Sequence, residues 1–221
     1  LEQVIHIFGC SASQRVKVNK CYGDFLSDKL SQPLNLQAAG CGSNYRIARV
    51  LSNQLKTNQI ASSDLVIIQY TESTRNEFFT YNVETHPKIN FTDNIQIRED
   101  YTNGQVIRYK AGAGNWQPSK IESKFFNLYE KNFLNPEFED EKFSSLNFQL
   151  QCMLAYKKVN AYFLLINGYT PDTFDTIDYF SNRCIQVPDP KQKQLFIDDG
   201  HFHETGHKYV ANLILKKITS N

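Results

Sequence analysis

The sequence predicts an α/β protein built around a parallel sheet, and three observations carry that expectation. Short apolar runs recur without polar alternation, Val4–Phe8 and Leu65–Ile68 most clearly, as strands covered on both faces require. Segments of helical apolar spacing stand between them. Turn residues such as Gly9, Pro33 and Gly40 punctuate the changes of period.

In order, the first strand is Val4–Phe8, broken by Gly9 and followed by the small residues Cys10–Ser13. After a polar loop, Gln14–Lys20, the spacing of Tyr22, Phe25, Leu26 and Leu30 predicts a helix over Cys21–Leu30. Leu34–Ala38 is the second strand, and Gly40–Asn44 the next tight turn. Ser43 or Asn44 is placed to cap a helix over Tyr45–Leu55, whose apolar side holds Ile47, Ala48, Val50, Leu51 and Leu55. Leu65–Ile68 is the third strand, Ala161–Ile166 the fourth, and Cys184–Val187, before Pro188, the fifth. A last helix from about Thr205 carries Tyr209, Val210, Leu213, Ile214 and Ile218 on one side. Alternating strands and helices argue for parallel pairing.

The stretch between the third and fourth strands is too long for a plain crossover. Ile95–Arg98, Thr102-Asn103-Gly104 and Val106–Tyr109 read as a β-hairpin, the Asn-Gly turn being its specific signal. Helices over Ser119–Phe133 and Phe138–Lys158 complete an insertion of about 80–158 within a single domain, 1–221.

The bulk numbers exclude several functions. The 221 residues carry a formal charge of +1, so no polyanion-binding surface and no nucleic acid partner is expected. The many aromatics can line a substrate groove, although packing is their commoner use. Five scattered cysteines, Cys10, Cys21, Cys41, Cys152 and Cys184, form no Cys-x-x-Cys pair, which argues against a zinc knuckle and for free thiols in a reducing cytoplasm. No run is long enough for a membrane span, and no basic-then-apolar leader opens the chain. The start at Leu1 leaves a removed segment open.

Candidate chemistry sits at the two ends. A serine just past a strand-ending glycine, Ser11, puts a hydroxyl where α/β proteins bind ligands. A plain loop serine is the bland alternative, and Cys10 is either a rival nucleophile or a small buried residue. A serine is inert without a histidine base that a carboxylate orients. Asp198 stands three residues before His201, a spacing that lets the carboxylate reach Nδ1 and leaves Nε2 free for a serine proton. His201, His203 and His207 with Asp198 or Asp199 are alternatively metal ligands, but no second histidine-rich segment supports that, and His207 suits packing in a helix. No metal or cofactor is expected. Gly40 can turn a backbone N–H toward a ligand, forming an oxyanion hole with the Ser11 N–H. A nucleotide loop at Gly40-Cys41-Gly42 is weakened by Tyr45 at the third glycine position.

Together these residues resemble the SGNH (GDSL-type) hydrolases. Phe8-Gly9-Cys10-Ser11 is similar to the first block, with Gly-Cys-Ser for Gly-Asp-Ser. Asn35–Gly40, with Ser43-Asn44 and Ile47-Ala48-Arg49, is similar to the second, and Asp198-x-x-His201 with Gly206-His207 and Ala211 to the last. The resemblance implies Ser11 as nucleophile, His201 as base, Asp198 as its orienter and Gly40 as an oxyanion donor, with Gly42 the fallback. The third block departs: Gln69–Arg75 holds no asparagine and resembles a variant branch found near polysaccharide-modifying genes. Thr71 or Ser73 would then donate a hydroxyl to the oxyanion, and Arg75 would bind an anionic substrate or simply pair with Glu72 or Glu77.

The expectation is a three-layer α/β/α fold with a five-stranded parallel sheet in flavodoxin-like order 2-1-3-4-5, its insertion lying over the catalytic edge. The expected function is a serine esterase removing acetyl groups from a carbohydrate or polysaccharide. The alternatives are a polysaccharide O-acetyltransferase with the same acyl-serine, or a silent carbohydrate-binding domain. A small-molecule or glycan ester is the expected partner, with no membrane.

Overall fold

The computed structural model describes residues 2–39, 42–80, 100–101, 104–110, 128–129, 131–166, 168, 170–188, 195–196 and 201–220, of which 76–80, 100–101 and 104–110 are described by backbone alone. The chain runs β1 (Ile5–Gly9), α1 (Tyr22–Leu30), β2 (Leu34–Ala38), α2 (Asn44–Lys56), β3 (Leu65–Gln69), β4 (Arg75–Thr80), β5 (Asp100–Tyr101), β6 (Gly104–Lys110), α3 (Pro136–Tyr156), β7 (Asn160–Ile166), β8 (Cys184–Val187) and α4 (Glu204–Thr219). Five strands form a parallel sheet in the order β2-β1-β3-β7-β8, the expected 2-1-3-4-5.

The strand period of two divides the core. Ile5, Ile7, Leu65, Ile67, Tyr162 and Leu164 pack with Tyr22 and Leu26 of α1 and Val210 and Ile214 of α4. Their sequence neighbours Phe8, Val66, Ile68, Ala161 and Phe163 pack with Ile47 and Leu51 of α2 and Phe143, Leu150 and Leu154 of α3. With helices on both faces, β1 and β3 are apolar at most positions, His6 and Gln69 being the buried polar exceptions, whereas the edge strand β2 alternates at Asn35 and Gln37. The chain moves outward from β1 to β2, then back past β1 to β3. Right-handed crossovers in opposite directions place α1 and α2 on opposite faces. In open sheets of this kind ligands bind where the direction reverses, here at the carboxyl ends of β1 and β3.

Side chains fix the helix starts. Ser43 Oγ accepts from the Arg46 N–H at 3.1 Å, so Ser43, not Asn44, caps α2. Asp24 reaches back to the Cys21 N–H at 2.8 Å. Asn135 caps α3, and Pro136 at its first position needs no donor there, so α3 begins before the expected Phe138. His203 Nδ1 accepts from the Gly206 N–H at 3.0 Å and caps α4.

The insertion differs most from expectation. Strand β4 is legible in no alternating pattern; it forms by antiparallel pairing with β6 in a second sheet of order β4-β6-β5. The hairpin is present between β5 and β6, with Tyr101 opposite Gly104, and Val106–Tyr109 lies inside β6. The arm expected at Ile95–Arg98 lies outside the described residues. Of the helix expected over Ser119–Phe133, residues 128–129 and 131–132 are helical, and 119–127 and 130 lie outside the described residues. Helix α3 is tied to the main sheet by buried amides. Tyr70 Oη donates to Asn147 Oδ1 at 3.0 Å, and Asn147 and Gln151 both donate to the Asp175 carbonyl, at 2.7 and 2.8 Å.

A second buried polar group lies toward the amino ends of the strands. Asp64 accepts from the Val4 and Ala61 N–H groups at 3.0 and 2.7 Å and faces His6 Nε2 at 3.2 Å. A carboxylate only accepts, so Nε2 carries the hydrogen and Nδ1 accepts from Asn35 Nδ2 at 3.0 Å. Burial lowers the His6 pKa, with Asp64 opposing.

Candidate active site

Parallel pairing brings Gly9, Ala38, Gln69, Ile166 and Val187 to one edge of the sheet. Directly past β1 the chain makes a single 3-10 turn, Ser11–Ser13, closed by Ser13 N–H to Cys10 C=O and Gln14 N–H to Ser11 C=O, both 3.0 Å. Ser11 opens this turn and is half-buried. Cys10 is fully buried, and its thiol donates to Gln69 Oε1 at 3.2 Å, so it is the inward neighbour of Ser11.

The loop past β3 holds the next candidates. Thr71 is completely buried. Its N–H donates to Asn44 Oδ1 at 2.9 Å, and its carbonyl accepts from Asn44 Nδ2 at 2.8 Å. The first residue of α2 therefore fixes the loop that follows β3. With its backbone committed, Thr71 keeps only its hydroxyl, which is buried and has no hydrogen-bond partner among the described residues. Ser73 is half-buried. Arg75 is buried at the start of β4, and its Nε donates to Glu72 Oε2 at 3.2 Å. The pairing with Glu72 that the sequence left open is thus made.

The loop past β2 approaches the same edge, with Ala39 N–H donating to Gly9 C=O at 3.2 Å. Gly42 N–H donates to Ala39 C=O at 3.0 Å, which commits it inside the loop and removes it as a fallback oxyanion donor. Gly40 and Asp198 lie outside the described residues.

The carboxyl-terminal segment returns through Phe196, bridged antiparallel to Phe202, and through His203 N–H to Leu195 C=O at 3.1 Å. A β-carbon on Gly206 would overlap that same carbonyl, so glycine lets the start of α4 press against the returning strand. Half-buried His201 stands just before the bridge. Phe202 belongs to one buried apolar cluster with Cys10 and Ala12, the neighbours of Ser11. Beside it, Arg15, Lys17, Val18, Asn19, His203 and Glu204 line a shallow polar groove.

Solved structures with this architecture include the psychrotrophic esterase EstA from Pseudoalteromonas sp., inhibited there by monoethylphosphonate, with a TM-score of 0.56 at 11% identity over 99% of this chain and 98% of that one. The acetyl xylan esterase AlAXEase is similar with a TM-score of 0.51 at 11% identity, over 97% and 99% of the two chains. The α/β hydrolase LAE5 from the Lake Arreo metagenome gives 0.50 at 13% identity, over 99% and 95%. The chain shares the fold of these three proteins. No family model and no curated protein sequence matches it.

Two of the three histidines near the carboxyl end have structural roles. His203 caps α4 through Nδ1. His207 is buried against Tyr22 and Phe202, at ring distances of 6.1 and 5.4 Å. Burial lowers its pKa to about 4, with Asp24 opposing and His201 and His203 adding to the fall. The described cysteines Cys10, Cys21, Cys152 and Cys184 are free, and burial raises Cys21 to about 11. Among the described residues no helix is long and apolar enough to cross a membrane.

Sequence reasoning missed Asn44 as a loop clamp and gave Gln69 no role. A signal for Gln69 was present: a polar side chain closing a run covered on both faces must find buried partners.

Proposed function

We propose that the protein is a serine esterase of the SGNH type. Ser11 Oγ attacks the ester carbonyl, and His201 takes its proton and returns it to the leaving alcohol. Asp198 orients the imidazole, and water then releases the acyl group. Ser11 and Gly40 N–H groups hold the oxyanion, and a hydroxyl from Thr71 or Ser73 replaces the asparagine side chain of the family's third block. The observation that carries the reading is the position of Ser11, half-exposed just past β1 at the reversal of strand order. The return of Phe202 to the cluster of Cys10 and Ala12 supports His201 as its partner.

The proposed substrate is an O-acetylated carbohydrate. The shallow polar groove of Arg15, Asn19, His203 and Glu204 supports a hydroxyl-rich leaving group. The acetyl xylan esterase among the structures of like fold is compatible with that choice. Arg75, at the start of β4 with its Nε engaged by Glu72, is the proposed contact for an anionic sugar.

The test is labelling by a serine-directed phosphonate together with acetate release from an acetylated oligosaccharide. Wild type is expected to be labelled and to release acetate, and Ser11→Ala to do neither. A wild type that is neither labelled nor active overturns the reading.

A further inference from the structure

We infer that Gln69 is a positioning residue for Ser11, an inference that rests on the esterase reading above. Gln69 closes β3, is completely buried, and places its amide oxygen against the cap and the last residue of the 3-10 turn, Cys10 and Ser13. Before Ser11, the Cys10 N–H and thiol donate to Oε1, each at 3.2 Å. After it, Ser13 Oγ donates to the same oxygen at 3.1 Å.

The polarity of this contact is fixed. A backbone N–H only donates, so the oxygen and not the nitrogen of the amide must face Cys10. The amide nitrogen then donates to the Tyr70 carbonyl. Ser13 has a single hydroxyl hydrogen, given to Gln69, so Tyr22 Oη donates to Ser13 Oγ across 2.6 Å. A directed chain thus runs from Tyr22 through Ser13 to Gln69 and on to Tyr70. It holds the residues on either side of Ser11 to the strand whose following loop carries Thr71 and Ser73. Gly9 makes room for it: a β-carbon there would overlap the Ser13 hydroxyl and lie 3.0 Å from Gln69 Oε1.

One amide oxygen therefore sets the height and tilt of the turn that presents both the Ser11 hydroxyl and the Ser11 N–H. Hydroxyl and oxyanion donor move together if it is lost, so the chemical step suffers and ground-state binding does not.

The experiment compares wild type, Ser11→Ala, Gln69→Leu and Gln69→Glu in phosphonate labelling and in steady-state kinetics on a soluble acetyl ester, with thermal melts confirming folded protein. Gln69→Leu is expected to lower kcat and the labelling rate roughly 10- to 100-fold with KM unchanged. In Gln69→Glu, the protonated acid reproduces the amide pattern, with one oxygen accepting and one O–H donating to Tyr70. Its kcat is expected to approach wild type at low pH and to fall as the carboxyl ionises, adding a limb to the pH profile absent from wild type. Should Gln69→Leu fail to fold, the limb in Gln69→Glu decides alone. Gln69 variants that are labelled and turn over at the wild-type rate, with no added limb, overturn the inference and leave the esterase reading standing. Absence of label in wild type overturns that reading, and this inference with it.

Discussion

Thr71 is bonded through its backbone on both sides by Asn44, yet its hydroxyl is buried with no partner among the described residues. A buried orphan hydroxyl costs ~1–3 kcal/mol. Replacement by the isosteric valine removes that cost and breaks no hydrogen bond of the described residues. Thr71→Val is therefore expected to be as stable as wild type or more so, by about 1 kcal/mol in urea denaturation. If Thr71 supplies the missing oxyanion donor, the same variant loses on the order of 100-fold in kcat. A variant both stable and fully active would move that role to Ser73. At this level the sequence was informative wherever a residue type carries its own chemistry. Ser11 was nameable from its place just past a strand-ending glycine, and Thr71 and Arg75 only through the family resemblance. Gln69 and Asn44 were not, because an amide has no role until the fold supplies its partners, Cys10 and Ser13 for one and the Thr71 backbone for the other.

Strands and helices of the central sheet were legible because each satisfies a local rule. Leu34–Ala38 and Cys184–Val187 have the boundaries read from the sequence, and α2 starts at its serine cap. Strand β4 was not, because its partner β6 is supplied by the fold and not by its own sequence. Helix α3 is a mixed case. Its length was readable, but Asn147 and Gln151 on its buried side look wrong for a core until Tyr70 and the Asp175 carbonyl are seen. Truncation of Asn147 to alanine leaves the Tyr70 hydroxyl without its acceptor in a site packed by Phe143, Phe163 and Phe174. Asn147→Ala is expected to cost ~1–3 kcal/mol. Adding Tyr70→Phe removes the stranded hydroxyl, so the double variant should be less destabilised than the two single losses summed. A urea-denaturation cycle measures the difference, expected at about 1 kcal/mol. Strict additivity would mean that the bond does not anchor α3 to the sheet.

The three-layer architecture buries both sides of one sheet, and in doing so it encloses titratable groups that water would otherwise solvate. His207 lies in the layer of α1 and α4, and His6 in the layer of α2 and α3. Both are held below the ordinary histidine range, chiefly by burial, His207 at about 4. Above pH ~6.5 each is neutral whether the chain is folded or not. As pH falls below that value, the unfolded chain takes up protons first, so folding loses free energy until the folded-state pKa is reached. For His207 the window runs from ~6.5 down to about 4, a loss on the order of 3 kcal/mol, to which His6 adds in the same direction. Asp24 follows at lower pH. Burial works against its charge, but the Arg15 guanidinium bonded to it holds its pKa below the usual range, so its contribution is lost only as pH falls through that lowered value. Acid lability should therefore begin near neutrality, well above the carboxylate range. Urea midpoints are expected to fall steadily from pH 7 to pH 4.5 in wild type. In His207→Phe, whose ring keeps the contacts with Tyr22 and Phe202 and carries no proton, the fall should be shallower by most of the His207 share. Equal slopes in the two proteins would mean that His207 takes its proton without opening this layer.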